Sequence, residues 1–184
     1  MNESIYASGK LFELVHVTQP DGRVFEIARR APGVRVIIVD RGARKVLLTK
    51  EFRQELNAHD YRLPGGKVFD SLMEYEAFRE SARDIADAAA EKAKAEAAEE
   101  AGMAIEGVKL FKKSTLGATV EWDLYVFEAT SWRQHEDGQT LEDGEQVDDV
   151  SWYDFGAVEQ MILNGEMQEE RIALILLQWL HAQK

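Results

Sequence analysis

The stretch between Gly66 and Gly102 contains neither glycine nor proline, and this sets the strongest limit on what the chain can form. Ser71-Leu72-Met73-Glu74 has the form of a capping box, so a helix is predicted to start near residue 71. Continued unbroken to Ala101, it would be roughly 45 Å long at its usual rise, against roughly 40 Å expected across a domain of this size. The stretch must therefore break, most naturally between Asp84 and Asp87, or leave the domain as an arm. Its last turns add a second constraint. At about 100° per residue, Glu96 and Glu100 lie about 40° apart and Glu99 about 60° to the other side, so three carboxylates leave one face. Glu99 and Glu100 also sit at the negative end of the helix dipole, where Gly102 stops the helix. Like charges so placed repel. A solvated face would screen them; a bound cation would offset them.

Composition narrows the partners. Against 34 acidic residues there are 22 basic ones, a formal net charge of −12. Neither a nucleic-acid backbone nor an anionic membrane suits such a chain, and a phosphate-bearing ligand would need local basic groups or metal ions. The absence of cysteine excludes disulfides, thiolate zinc sites and thiol catalysis. The first ten residues lack an apolar core of signal-peptide type and no apolar run approaches membrane-spanning length, so a cytoplasmic location is expected. With 184 residues and 45% hydrophobic content, a single domain over residues 1–184 is expected.

Residues 12–30 alternate around a turn at Pro20-Asp21-Gly22, which predicts an antiparallel pair. Residues 33–40 and 45–53 flank a turn at 41–44 and predict a second hairpin of more continuously apolar, better buried strands. In "YRLPGGKV", Pro64-Gly65-Gly66 interrupts an extended run with two residues that allow close backbone approach. Strands follow at 108–114 and 122–132, then an acidic loop at 133–146, a strand at 147–155 and two helices. The last of these is apolar nearly all round and should be buried in the domain or at a subunit contact. His16, His59, His135 and His181 show no ligand spacing.

Residues 95–103, Ala-Glu-Ala-Ala-Glu-Glu-Ala-Gly-Met, resemble the second half of the Nudix box, Gly-x5-Glu-x7-Arg-Glu-U-x-Glu-Glu-x-Gly-U with U a bulky apolar residue. The metal-binding carboxylates of that family match Glu96, Glu99 and Glu100. Counted from Gly66, about 15 residues are inserted; Ala95 stands at the family's arginine and Asp87 at its earlier glutamate. Lys94, Arg79 or Arg83 would have to take over the arginine's part in orienting the carboxylates. A second register starting at Gly65 reaches Arg79-Glu80 correctly but puts Arg83-Asp84 at the Glu-Glu positions and Ala86 at the glycine, so the later register is preferred. "VLLTKEFRQELNAHDYRLPGGK" is similar to a segment of the ADP-ribose pyrophosphatase branch, in which the arginine matching Arg53 contacts substrate. "LGATVEW" resembles that branch's Pro-Gly-x-x-x-Glu element, with Leu116 replacing proline, so Gly117 and Glu121 match. The resemblance spans roughly residues 10–182.

It implies an α/β fold of α+β type, the Nudix fold: a mixed β-sheet sandwiched between helices. An N-terminal antiparallel β extension over about 1–32 and a helical insertion over about 67–90 would be added to it. It further implies a homodimer and metal-dependent hydrolysis of a small-molecule nucleotide substrate, ADP-ribose or a related nucleotide sugar, giving a nucleoside monophosphate and a sugar phosphate. Mg2+ or Mn2+ would be held by Glu96, Glu99, Glu100 and the carbonyl of Gly66. Glu99 would be catalytic, Glu145 or Glu142 in the acidic loop would activate water, and Arg53, Glu121 and Gly117 would bind substrate. Two other readings stay open: a catalytically weakened Nudix domain acting as a nucleotide sensor or regulator, and a helical arm serving as a protein-interaction module.

Overall fold

In the computed structural model, which describes residues 2–117, 119–136, 138–141 and 147–184, the glycine-free stretch is two helices. Helix α1 (Leu72–Glu80) starts at Ser71, whose hydroxyl accepts the Glu74 N–H at 3.2 Å; the Glu74 carboxylate accepts the Asp70 N–H at 3.0 Å. Ser81 ends it by donating its hydroxyl to the Phe78 carbonyl at 2.6 Å. Asp84 then caps helix α2 (Ile85–Ala101), its carboxylate accepting the Ala86 N–H at 2.9 Å. Gly102 closes α2 at φ 61°, a left-handed geometry that glycine adopts without strain.

The strands are β1 (Asn2–Ser8), β2 (Phe12–Thr18), β3 (Val24–Arg30), β4 (Gly33–Ile37), β5 (Val39–Asp40), β6 (Lys45–Arg53), β7 (Ala58–Arg62), β8 (Met103–Thr115), β9 (Val120–Glu121), β10 (Asp123–Gln134) and β11 (Val147–Asp154). They form three sheets, β1-β2-β3-β9, β4-β10-β8 and β11-β6-β5, with β7 added on β6. Two pairs are parallel, β4 with β10 and β3 with β9; the rest are antiparallel. Helices α3 (Phe155–Leu163) and α4 (Glu170–His181) complete the chain. Among the described residues, no helix is long and apolar enough to cross a membrane.

The central strands are buried on both faces, which is why they read as nearly continuous apolar runs. Val34, Val36 and Ile38 pack with Leu47, Tyr125 and Phe127 against the alanine face of α2, Ala89, Ala93, Ala97 and Ala101. Ile37, Val39, Val46, Leu48 and Val126 face the other way, onto Phe155, Val158 and Met161 of α3 and Ile172, Leu176 and Trp179 of α4. The second predicted hairpin is only partly present. Val39 and Asp40 pair with Val46 and Lys45, but β4 has already left for the other sheet. A strand buried on both faces needs partners along both edges. For β4 these are β10 on one side and residues 64–66 on the other: Val34 N–H donates to the Gly66 carbonyl and Val36 N–H to the Pro64 carbonyl, each at 2.9 Å.

In the N-terminal sheet, the Arg29 guanidinium donates to Glu121 at 2.9 Å, Glu13 at 3.2 Å and Glu3 at 3.0 Å. One arginine thus ties β3 to β1, β2 and β9. The surroundings of the glycines predict contrasting substitutions. At Gly65, φ is 143° and a Cβ would lie 2.2 Å from the Val34 carbonyl oxygen, whereas at Gly156 in α3 it would meet open space. Gly65→Ala is expected to destabilise the protein by about 2–4 kcal/mol and Gly156→Ala to stabilise it by about 0.4–1 kcal/mol, both read by urea unfolding.

Candidate active site

The small side chains on one face of α2 seat it against the sheet, and this brings its carboxylates onto the Pro64-Gly65-Gly66 turn. Glu100 accepts the Gly65 N–H through Oε2 at 2.7 Å. A Cβ on Gly66 would lie 2.3 Å from Oε1 of Glu96, so the Glu96 carboxylate rests directly against glycine backbone. Lys92, one turn before Glu96, places Nζ 3.1 Å from Glu96 Oε1 and 3.7 Å from Glu99 Oε2. Among the described residues, no three acidic or histidine side chains are grouped closely enough to hold an ion. Glu96 and Glu99 share the Lys92 ammonium, and Glu100 is turned onto Gly65. The donor set still fits a hard divalent cation: two carboxylates already gather one positive charge between them, and magnesium uses few protein carboxylates and retains waters. The Gly66 carbonyl accepts from Val34 and keeps a second lone pair.

Glu96 and Glu100 are buried, and burial disfavours their charged forms. Glu100 is pushed up to about 8 by that burial; Arg35 and the Gly65 N–H oppose the shift, while Glu51 and Glu96 add to it. Burial also raises Glu96, against the pull of Lys92.

Beside these carboxylates opens a cleft of about 600 Å³, lined by Arg30, Arg35, Arg53, Arg62, Lys67 and Trp122 together with Glu51, Glu100, Gly65 and Gly66. Several cations in it are matched within the fold. Arg62 donates to the buried Asp60 at 2.8 Å, and Arg53 to Glu55 at 2.8 Å and to Glu51 at 3.5 Å. Arg30 and Arg35 differ. The Nε atoms of both are buried without a hydrogen-bond partner, and burial with the neighbouring Arg35 charge lowers the Arg30 pKa. The Arg30 guanidinium lies over the rings of Trp122 and Phe12, at 4.4 and 4.8 Å from their centroids.

Of the residues singled out from sequence, Glu96 and Glu100 reach the turn at Gly66 and Gly65, Glu99 is held beside Glu96 by Lys92 without reaching the turn, and Arg53 lines the cleft. Glu121 belongs to the Arg29 network, and neither it nor Gly117 is in the cleft lining. Glu142 and Glu145 lie outside the described residues. The described part of their loop docks on the end of α2: Thr140 N–H donates to the Glu99 carbonyl at 3.0 Å, and the Gln139 amide to the Glu100 carbonyl at 2.5 Å. The substitutes considered for the missing arginine are engaged elsewhere, Lys94 with Glu91 at 2.7 Å, Arg79 with Glu76 at 3.0 Å, and Arg83 over the Phe78 ring. Lys92, Arg30, Arg35 and Trp122 were not anticipated. Lys92 had a visible signal in its spacing before Glu96 and Glu99, and Arg35 in being the charge inside the run Gly33-Val34-Arg35-Val36-Ile37.

No family model matches the sequence, and a search of curated proteins returns no match. Among solved structures, the chain is similar to the crystal structure of an ADP compounds hydrolase, with a TM-score of 0.68 at 16% identity, over 100% of this chain and 94% of that one. The two share a fold.

Raised carboxyl pKa values predict a direction for stability against pH. Because folded Glu100 binds its proton more tightly than the ordinary 4.5, the folded state is favoured at low pH and loses that advantage as pH rises from about 4.5 to about 8. In EDTA, the wild type is expected to lose of order 2–4 kcal/mol across this window. Glu100→Gln keeps an acceptor for the Gly65 N–H and should flatten the slope. Urea unfolding at pH 5, 7 and 9 measures both, and parallel slopes would refute the assignment.

Proposed function

We propose that this chain is a metal-dependent pyrophosphohydrolase of the Nudix type. Its substrate would be a nucleoside diphosphate linked to another moiety, ADP-ribose or a related nucleotide sugar, and its products a nucleoside monophosphate and a sugar phosphate. The observation that carries this reading is the cleft: two half-buried arginines, each with a buried and unpartnered Nε, stand beside a glycine turn gripped by the carboxylates of α2. A phosphate ligand would satisfy the former, and a divalent cation the latter. The fold shared with a protein described as an ADP compounds hydrolase supports the same reading.

In this proposal Arg30 and Arg35 bind the phosphate oxygens and Arg53 holds a further substrate oxygen at the cleft wall. Glu96, Glu99 and Glu100, with the Gly66 carbonyl, hold Mg2+ or Mn2+. When bound, that cation neutralises phosphate charge and makes water more acidic. Glu145 or Glu142 would take the proton of the attacking water. Glu121, paired with Arg29, and Gly117 lie outside the cleft lining, and a substrate role for them rests on the family resemblance alone. A homodimer would cover the exposed apolar side chains of the N-terminal strands, Ile5, Tyr6 and Phe25.

The alternative, a nucleotide-binding sensor with weakened catalysis, is favoured by Ala95 and by carboxylates that pair with Lys92 and Gly65 instead of converging. A substrate panel separates the two. ADP-ribose, other nucleotide sugars, dinucleoside polyphosphates and nucleoside triphosphates are incubated with Mg2+ or Mn2+ and resolved by chromatography. The expected result is AMP and ribose phosphate from ADP-ribose, lost in Glu99→Gln. Binding without turnover would favour the sensor. For Arg30→Ala and Arg35→Ala, KM is expected to rise about 10- to 100-fold, from the loss of charge-assisted hydrogen bonds to phosphate.

A further inference from the structure

Lys92 lies where no function has been assigned, yet its ammonium bridges the carboxylates of Glu96 and Glu99 at 3.1 and 3.7 Å. Residues 92, 96 and 99 follow i, i+4 and i+7 spacing, so they share one stripe of α2. The side chain is one-quarter exposed, and its flexible stem has solvent to move into. A divalent cation drawing on Glu96 and Glu99 would need the same oxygens, at shorter distance. An ammonium and a divalent cation repel too strongly to share them.

We infer that Lys92 is an internal cation that occupies the Glu96–Glu99 pair in the metal-free protein and must swing away before a divalent ion enters. It therefore sets how much metal the enzyme requires. This rests on the metal-dependent reading above. Lys92 acts through the two glutamates and need not touch substrate. The charge of Arg35 reaches Glu96 and Glu100 from β4, so the carboxylates stay partly compensated when the lysine leaves.

The test is Mn2+ binding, read from the free-ion paramagnetic resonance signal, which does not depend on turnover. Wild type is compared with Lys92→Met, Lys92→Gln, Lys92→Arg and Lys94→Met at one pH and ionic strength, with circular dichroism to verify folding. Lys92→Met and Lys92→Gln are expected to bind Mn2+ roughly three- to tenfold more tightly, the strength of a partly exposed ion pair relieved together with local repulsion. Lys92→Arg should match wild type because it keeps the charge. Lys94→Met should also match wild type: it removes the same charge from the same helix, but from a lysine paired with Glu91. Binding only after Lys92 is neutralised would support the inference in its strongest form. Equal or weaker binding by both neutral variants would overturn it, as would a gain shared by Lys94→Met or by Lys92→Arg. If wild type binds Mn2+ and the neutral variants match it, this inference alone falls. If no variant binds, the metal-dependent reading falls with it.

Discussion

Everything at the site depends on the thinness of the backbone at Gly65 and Gly66. The Val34 carbonyl presses on one residue and the Glu96 carboxylate on the other, at separations no side chain could occupy. The turn is held from both sides. Its carbonyls accept from β4, and its Gly65 N–H donates to Glu100. A strand edge, a turn and a helix are thereby fixed to one another, the strand through backbone hydrogen bonds and the helix through its alanine face and its carboxylates. Burying carboxylates against backbone in this way is unfavourable unless hydrogen bonds or charge compensate them. Glu100 obtains the Gly65 N–H, and Glu96 obtains Lys92.

An acidic chain with a cationic cleft is no contradiction, because net charge describes the long-range field and the cleft is local. Three of its five basic groups are paired within the fold, Arg62 with Asp60, Arg53 with Glu51 and Glu55, and Lys67 with Asp70. What remains is Arg30 and Arg35 on one side of the turn and the α2 carboxylates on the other. Each half is partly buried, and each carries a charge that the fold only partly matches. A ligand combining an anion with a metal ion would relieve both halves, while either component alone would relieve one.

The helical half of the site was legible because its signals are local. The capping box at Ser71, the break expected between Asp84 and Asp87 and the Gly102 stop each act within a few residues, and the carboxylate face follows from helical periodicity alone. The doubly buried central strands were legible from their apolar runs, but their pairing was not. Residues 33–40 split between two sheets because β4 pairs with β10, about 90 residues later, and nothing in a short window records a distant parallel partner. Arg30 was hidden for the same reason. Its neighbours in the site are brought to it by sheet topology, and an arginine near a strand end carries no mark of what it will face.

The empty place at Ala95 then reads differently. A long cation at residue 95 would leave the helix about 100° away from Glu96 and would have to curl back to reach it. Lys92 stands in line with Glu96 and Glu99 and needs no such detour. Its order along the helix, cation before anion, is the weaker one for an isolated ion pair, and the glutamates sit at the end of the helix dipole that disfavours them. Local stability alone would favour neither choice. A charge pair built in the less favourable order, at the unfavourable end of a helix and against glycine backbone, is poised to be exchanged. That property suits a site whose carboxylates must accept a different cation, and it separates this stripe from the Lys94–Glu91 pair on the same helix, in which the anion precedes the cation and the glutamate is exposed.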